Sequence, residues 1–232
     1  MRPGDITVHA GEVALEGALS IPERADGVVL FAHGSGSSRF SPRNRFVATF
    51  LNQGGLGTLL IDLLTAEEHE IDERSGALRF DIDLLSRRLI GVVDWASTHP
   101  DMRHLPIGLF GASTGAAAAL NAAADRPQRV ASVVSRGGRP DLAMAALPAV
   151  RAPTLLIVGG LDGVVIDMNR SAAALLACEH RLEIVPGATH LFEEPGKLEE
   201  VARLARKWFQ QHLGRAGRGA GRATAAPSRL RA

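Results

Sequence analysis

The chain has 232 residues, and 46% hydrophobic with 22% charged is the balance of a globular protein, not of a disordered or fibrous one. Its single cysteine, Cys178, excludes an intramolecular disulfide framework and a cysteine-rich zinc site. Net charge is +1, but residues 214–232 hold five arginines and no acid, which leaves −4 for residues 1–213. With no tyrosine and only 4% aromatics, such a body argues against nucleic acid or an anionic membrane as the main partner. There is no apolar run of about 18 residues and no signal-like N-terminal stretch, so the cytoplasm is the expected compartment.

Taken in chain order, residues 6–19 alternate apolar and polar and predict an antiparallel edge hairpin. Residues 27–33 form a short β-branched apolar run, read as a fully buried strand. Ser41-Pro42 opens a helix that ends at Gly54-Gly55. The strand–helix alternation then repeats: strand 58–61, helix 81–97, strand 106–110 and helix 113–124. Strands at 130–134 and 154–158 follow, then helix 167–178, strand 181–185 and helix 197–213. The stretch 63–80, rich in Glu and Asp, is expected to be an acidic loop too short for a cap domain. Residues 1–213 are expected to form one α/β domain with a mostly parallel sheet and helices on both faces. The Gly/Ala/Arg-rich residues 214–232 carry too little apolar surface to offset their ordering entropy and are expected to be a disordered tail.

In a parallel sheet, ligands bind beyond the carboxyl ends of the strands, so the residues just after each strand carry the functional information. Gly111-Ala112-Ser113-Thr114-Gly115 is a G-x-S-x-G between a strand and a helix. Such a turn lifts the serine Oγ above the sheet at a helix N-terminus, while the glycines let strand and helix approach closely. Asp162 follows a later strand in Gly159-Gly160-Leu161-Asp162, and His190 follows the last strand in Pro186-Gly187-Ala188-Thr189-His190. Each member alone has a plain structural reading, as a turn, a cap or a solvated loop residue. Ser, Asp and His in this order after three strands read instead as nucleophile, orienting acid and base. Asp167 is the rival acid, read as the N-cap of the following helix. His33-Gly34-Ser35-Gly36 follows the first buried strand, where glycines turn backbone N–H groups inward. The N–H groups of Ser35 and Thr114 are the candidate oxyanion hole. The loop is neither a dinucleotide fingerprint nor a P-loop, because Arg39 stands where the last glycine belongs and no lysine follows. His33 is read as a brace for this loop.

These four segments resemble the α/β-hydrolase superfamily, and within it the small dienelactone-hydrolase-like hydrolases, over about residues 11–213. The resemblance implies an α/β-hydrolase fold, an acyl-enzyme on Ser113 with His190 and Asp162 as its partners, and no metal or organic cofactor. It departs from dienelactone hydrolase itself, whose nucleophile is cysteine. A serine at 113 points toward ordinary carboxylic esters. Thioester or acyl transfer on the same residues, or a non-catalytic ligand-binding module, are the rival readings. Arg39, Arg43 and Arg45 after the HGSG turn, and Arg136 and Arg139 after another strand, should also reach the catalytic edge. Either they pair with the acidic stretch 67–73, or they bind an anionic ester substrate.

Overall fold

The computed structural model describes residues 4–214; the expected tail after Gly214 lies outside the described residues. One eight-stranded sheet runs through it. The first hairpin is β1 (Gly4–Ala10) and β2 (Val13–Ser20), turned at Gly11. The buried run becomes β3 (Val28–Ala32), and the next strand is β4 (Gly57–Ile61). Then come β5 (Ile107–Ala112), β6 (Val130–Arg136), β7 (Thr154–Gly159) and β8 (His180–Val185). The spatial order is β1-β2-β4-β3-β5-β6-β7-β8, antiparallel through β2/β4 and parallel from β4 onward. Every residue of β3, β4, β5 and β7 is buried, as expected of strands covered on both faces.

Two apolar layers sandwich the sheet. On one face pack α3 (Ile82–Thr98), α4 (Thr114–Asp125) and α5 (Gly163–Ala173), with Leu89, Val92, Ala117, Leu120 and Ala172 among the buried residues. On the other pack α1 (Pro42–Gln53) and α6 (Lys197–Leu213), through Val47, Leu51, Val201, Trp208 and Phe209. The connection after β3 leads to α1 on the second face, and the one after β5 leads to α4 on the first. Neighbouring strands whose connections diverge to opposite faces leave a crevice at their carboxyl ends. The nucleophile candidate and the HGSG turn stand at that crevice.

Three expectations are corrected. Residues 63–80 are not a loop: α2 (Ala66–Ser75) is a helix with a complete capping box. Thr65 Oγ1 accepts from the Glu68 N–H at 3.2 Å, Glu68 returns the bond to the Thr65 N–H at 2.9 Å, and Gly76 closes the helix in the left-handed conformation. The charge density hid a T-x-x-E start signal. Second, α5 starts at Gly163, so Asp162 occupies the N-cap position and Asp167 lies inside the helix, exposed and paired with Arg170 at 3.2 Å. Asp167 is therefore not a cap, and it pairs with Arg170 rather than with His190. Third, α5 ends at Ala173, which puts Cys178 in the connection to β8. The Cys178 Sγ sits 3.9 Å from Thr154 Oγ1 at the start of β7, the edge opposite Ser113, and burial pushes its thiol pKa up.

Candidate active site

Ser113 occupies the N-cap position of α4 with φ 51° and ψ −121°. A non-glycine residue held there stores strain of roughly 1–3 kcal/mol. Among the described residues only Phe192 shares a positive φ without being glycine, and it lies two residues after His190. The elbow is clamped on every side. A Cβ at Gly111 would fall 2.4 Å from Ala116 Cα, and one at Gly115 would fall 2.3 Å from the Ala32 carbonyl oxygen. The Ser113 N–H donates to the Arg136 carbonyl at 3.2 Å, and the Arg139 N–H donates to the Ser113 carbonyl at 3.0 Å. These contacts hold Ser113 against β3 and β6 at once.

The candidate acid and base come from adjacent strand ends. Asp162 Oδ2 stands 2.7 Å from His190 Nδ1, a hydrogen bond that fixes the imidazole so that Nε2 faces away from the acid. The loops carrying them are tied by backbone: the Gly160 N–H donates to Val185 O at 2.8 Å, and the Leu161 N–H donates to Ala188 O at 2.9 Å. Gly159 has no room for a Cβ, which would sit 2.4 Å from Thr189 O. Glu194 accepts the Thr189 N–H on both oxygens at 3.1 Å, and buried Phe192 anchors the segment behind the histidine.

The HGSG turn passes directly against the elbow, since a Cβ at Gly34 would lie 3.0 Å from Ser113 Cβ. Ser35 is the next residue. Thr114 is the first residue of α4, where an N–H has no acceptor within the helix. His33 braces the turn as expected. One ring nitrogen, Nδ1, is 2.9 Å from Gly34 O, and Nε2 accepts the Leu63 N–H at 3.2 Å. Accepting the Leu63 N–H requires an unprotonated Nε2 and hence the neutral ring, and burial, the largest cause, holds the pKa below the ordinary histidine value against the opposing pull of the Gly34 carbonyl. A cleft of about 240 Å³ opens beside this turn, lined in part by Ser37, Ser38, Phe40, Leu64 and Thr65. A wider hollow near Ile21 and His104 lies at the opposite, amino-terminal edge of the strands.

The arginines separate cleanly, and none of the five pairs with residues 67–73; that acidic stretch is met by Arg79 and Arg88. Arg39 is taken up by Asp62, which also accepts its backbone N–H, with Glu16 3.9 Å away. Arg139 forms a two-point pair with Asp141 at 2.8 and 2.7 Å, which pushes its pKa up. Arg45 is exposed and stacks on Phe40. Arg43 spends one nitrogen on Glu193 at 2.8 Å. Arg136 has no acid. It is 7% exposed, and its Nε and Nη1 are buried without a hydrogen-bond partner. Burial first, and Arg43 second, pull its pKa down to about 10, so it stays charged at neutral pH. Position 136 is the last of β6; its place after a strand marked it as a candidate at this edge, but its burial without an acid left no signal in composition or spacing.

A sheet of this order, with a strained serine elbow after β5 and a hydrogen-bonded acid–histidine pair after β7 and β8, defines an α/β hydrolase without a large cap among its described residues. The chain belongs to the dienelactone hydrolase family, whose profile matches residues 15–213. It is similar to the crystal structure of dienelactone hydrolase from Anabaena variabilis, with 61% identity over 91% of this chain and 99% of that one and a TM-score of 0.89. The esterase Est1E from Butyrivibrio proteoclasticus shares the fold at 15% identity, 90% and 99% coverage and a TM-score of 0.76. Two Mycobacterium tuberculosis proteins, provisionally named phosphoribosyl transferases, are each 57% identical over 213 residues, covering 92% of this chain. The chain spans about half the length of those relatives, 47%.

Proposed function

We propose that this hydrolase cleaves a carboxylic ester through an acyl-enzyme on Ser113. The observation that carries the reading is the 2.7 Å bond between His190 Nδ1 and Asp162 Oδ2 at the edge where Ser113 is held at positive φ. In this reading Ser113 Oγ attacks the ester carbonyl carbon as its proton passes to His190 Nε2. The carbonyl electron pair moves onto oxygen, where the N–H groups of Ser35 and Thr114 meet the developing charge. Removing one such donor costs roughly 3–4 kcal/mol in comparable sites. Collapse expels the alkoxide, which takes the proton from His190 and leaves as alcohol. Water then attacks the acyl-enzyme, giving its proton to His190, and the second collapse releases the acid and returns the proton to Ser113. Asp162 keeps Nδ1 protonated throughout. No step calls for a metal or organic cofactor.

A lactone is an internal ester, so the same steps open one, in keeping with the name of the Anabaena relative. Phosphoribosyl transfer is a different chemistry, and the mycobacterial relatives that carry that name are about twice as long as the shared region. We leave that activity with the longer proteins. A fluorophosphonate probe should label the wild type at Ser113, and Ser113→Ala should lose ester turnover by about 10⁴-fold. A folded protein that stays unlabelled and hydrolyses none of a panel of p-nitrophenyl esters is a binding module, and the esterase reading then fails.

A further inference from the structure

Arg136 poses a physical problem that the proposed ester chemistry does not use. A guanidinium carries five donors and a permanent charge, and a buried one is normally paired with an acid. Here two of its three nitrogens are buried and unbonded. The charge that acts on it is another cation, Arg43, whose Nε is also buried and unbonded. The fold adds to the excess. Arg136 ends β6 on the face covered by α1, as period two places it with Val134, which packs in the α1/α6 layer. Arg43 is the second residue of α1, and the first turn of that helix holds no acid. A cation at the positive end of a helix dipole opposes the usual preference. The facing acids are few: Glu193 takes one nitrogen of Arg43 from an exposed position, and Glu194 is spent on the Thr189 N–H.

Two guanidinium charges and about half a charge from the helix end, less Glu193, leave an excess of roughly +1.5. That matches a phosphate monoester, which carries about −1.5 to −2 at neutral pH, better than it matches a single carboxylate. The position is also right for a substrate. Arg136 pairs in register with Ala112, the residue before the nucleophile, and strands stand about 4.8 Å apart. Its carbonyl already receives the Ser113 N–H.

We propose that Arg136, together with Arg43 and the first turn of α1, binds the phosphate group of a phosphorylated ester substrate. This deepens the esterase reading and rests on it for the word substrate; the anion site itself does not. The test has two arms. In the first, thermal unfolding of the wild type, Arg136→Met and Arg43→Gln is followed against inorganic phosphate, with chloride at matched ionic strength. The wild type should gain several degrees from phosphate over chloride, Arg43→Gln less, and Arg136→Met none. No gain in the wild type, or an equal gain in all three, overturns the proposal. In the second arm, kcat/KM is compared for p-nitrophenyl butanoate and its 4-phosphate and for p-nitrophenyl hemisuccinate. The phosphate ester should be preferred at least tenfold over the other two, and Arg136→Met should erase at least tenfold of that ratio. Equal preference for the hemisuccinate overturns the choice of phosphate. A protein that is unlabelled at Ser113 yet stabilised by phosphate through Arg136 would sink the esterase reading and leave the anion site standing.

Discussion

Gly137 lies against the imidazole of His190. A Cβ built at Gly137 would stand 3.5 Å from both Nδ1 and Cε1 of that ring and 3.0 Å from the His190 carbonyl oxygen, and φ there is +50°. The bare backbone is thus part of what fixes the position of the His190 ring. Gly137→Ala should cost about 1 kcal/mol for the left-handed conformation. It should also displace His190 by a few tenths of an ångström, lowering kcat roughly tenfold, because a full 1 Å error costs about 10²-fold. Ester kinetics beside a melting curve check it; unchanged kcat would show that His190 has slack.

The elbow glycines are stricter. Gly115→Ala would drive a methyl to 2.3 Å from Ala32 O and 2.5 Å from His33 O, both backbone atoms of the β3 segment. Neither can yield, so a loss of roughly 3 kcal/mol or more is expected. Gly163→Ala, with nothing within 4 Å, should stay within about 0.5 kcal/mol of wild type. Urea denaturation of the pair separates a steric from a merely compositional role for glycine.

His33 predicts a pH dependence of stability. Burial holds its folded-state pKa below the ordinary value of 6.5. Above pH 6.5 the ring is neutral whether folded or unfolded, and the brace contributes fully. Below it the unfolded chain binds the proton more readily, so stability falls with falling pH. His212, also pushed down chiefly by burial, adds to the slope with the same sign. His33→Gln should reduce the slope between pH 5 and 6.5 without abolishing it. An unaltered slope would remove His33 from the account.

Arg136 should trade stability for binding. Its pKa of about 10 against an ordinary 12.5 reports a charge disfavoured first by burial and then by Arg43, a cost on the order of 3 kcal/mol. Arg136→Met fills the space without the charge. It should raise the melting temperature in phosphate-free buffer by several degrees, at about 2–4 °C per kcal/mol for a chain of this size. A lower melting temperature would mean that the guanidinium is structurally satisfied.

Much of this architecture is legible in the residues because its signals are local. Buried parallel strands read as short β-branched runs, and the Ser41-Pro42 start of α1 is a side-chain cap that the structure repeats, with Ser41 Oγ accepting from the Asn44 N–H at 3.3 Å. The GASTG turn reads as an elbow because steric contact at Gly111 and Gly115 is a matter of adjacent elements. Where local signals compete, the reading slips. The charges of residues 66–75 masked a capping box, and an aspartate at 167 looked like a cap when the helix had already begun at 163.

The sequence by itself determined the chain order of the eight strands and of every α-helix but α2, the four loops expected at one edge, and the residue types in them, since hydrophobic period and turn chemistry act within a few residues. Only the tertiary structure decided that Asp162 and not Asp167 meets His190, and which arginines are spent. Arg39, Arg43 and Arg139 find carboxylates and Arg136 finds none. Charge pairing is decided by distance in space and by burial, and neither is written in the spacing of arginines along a chain.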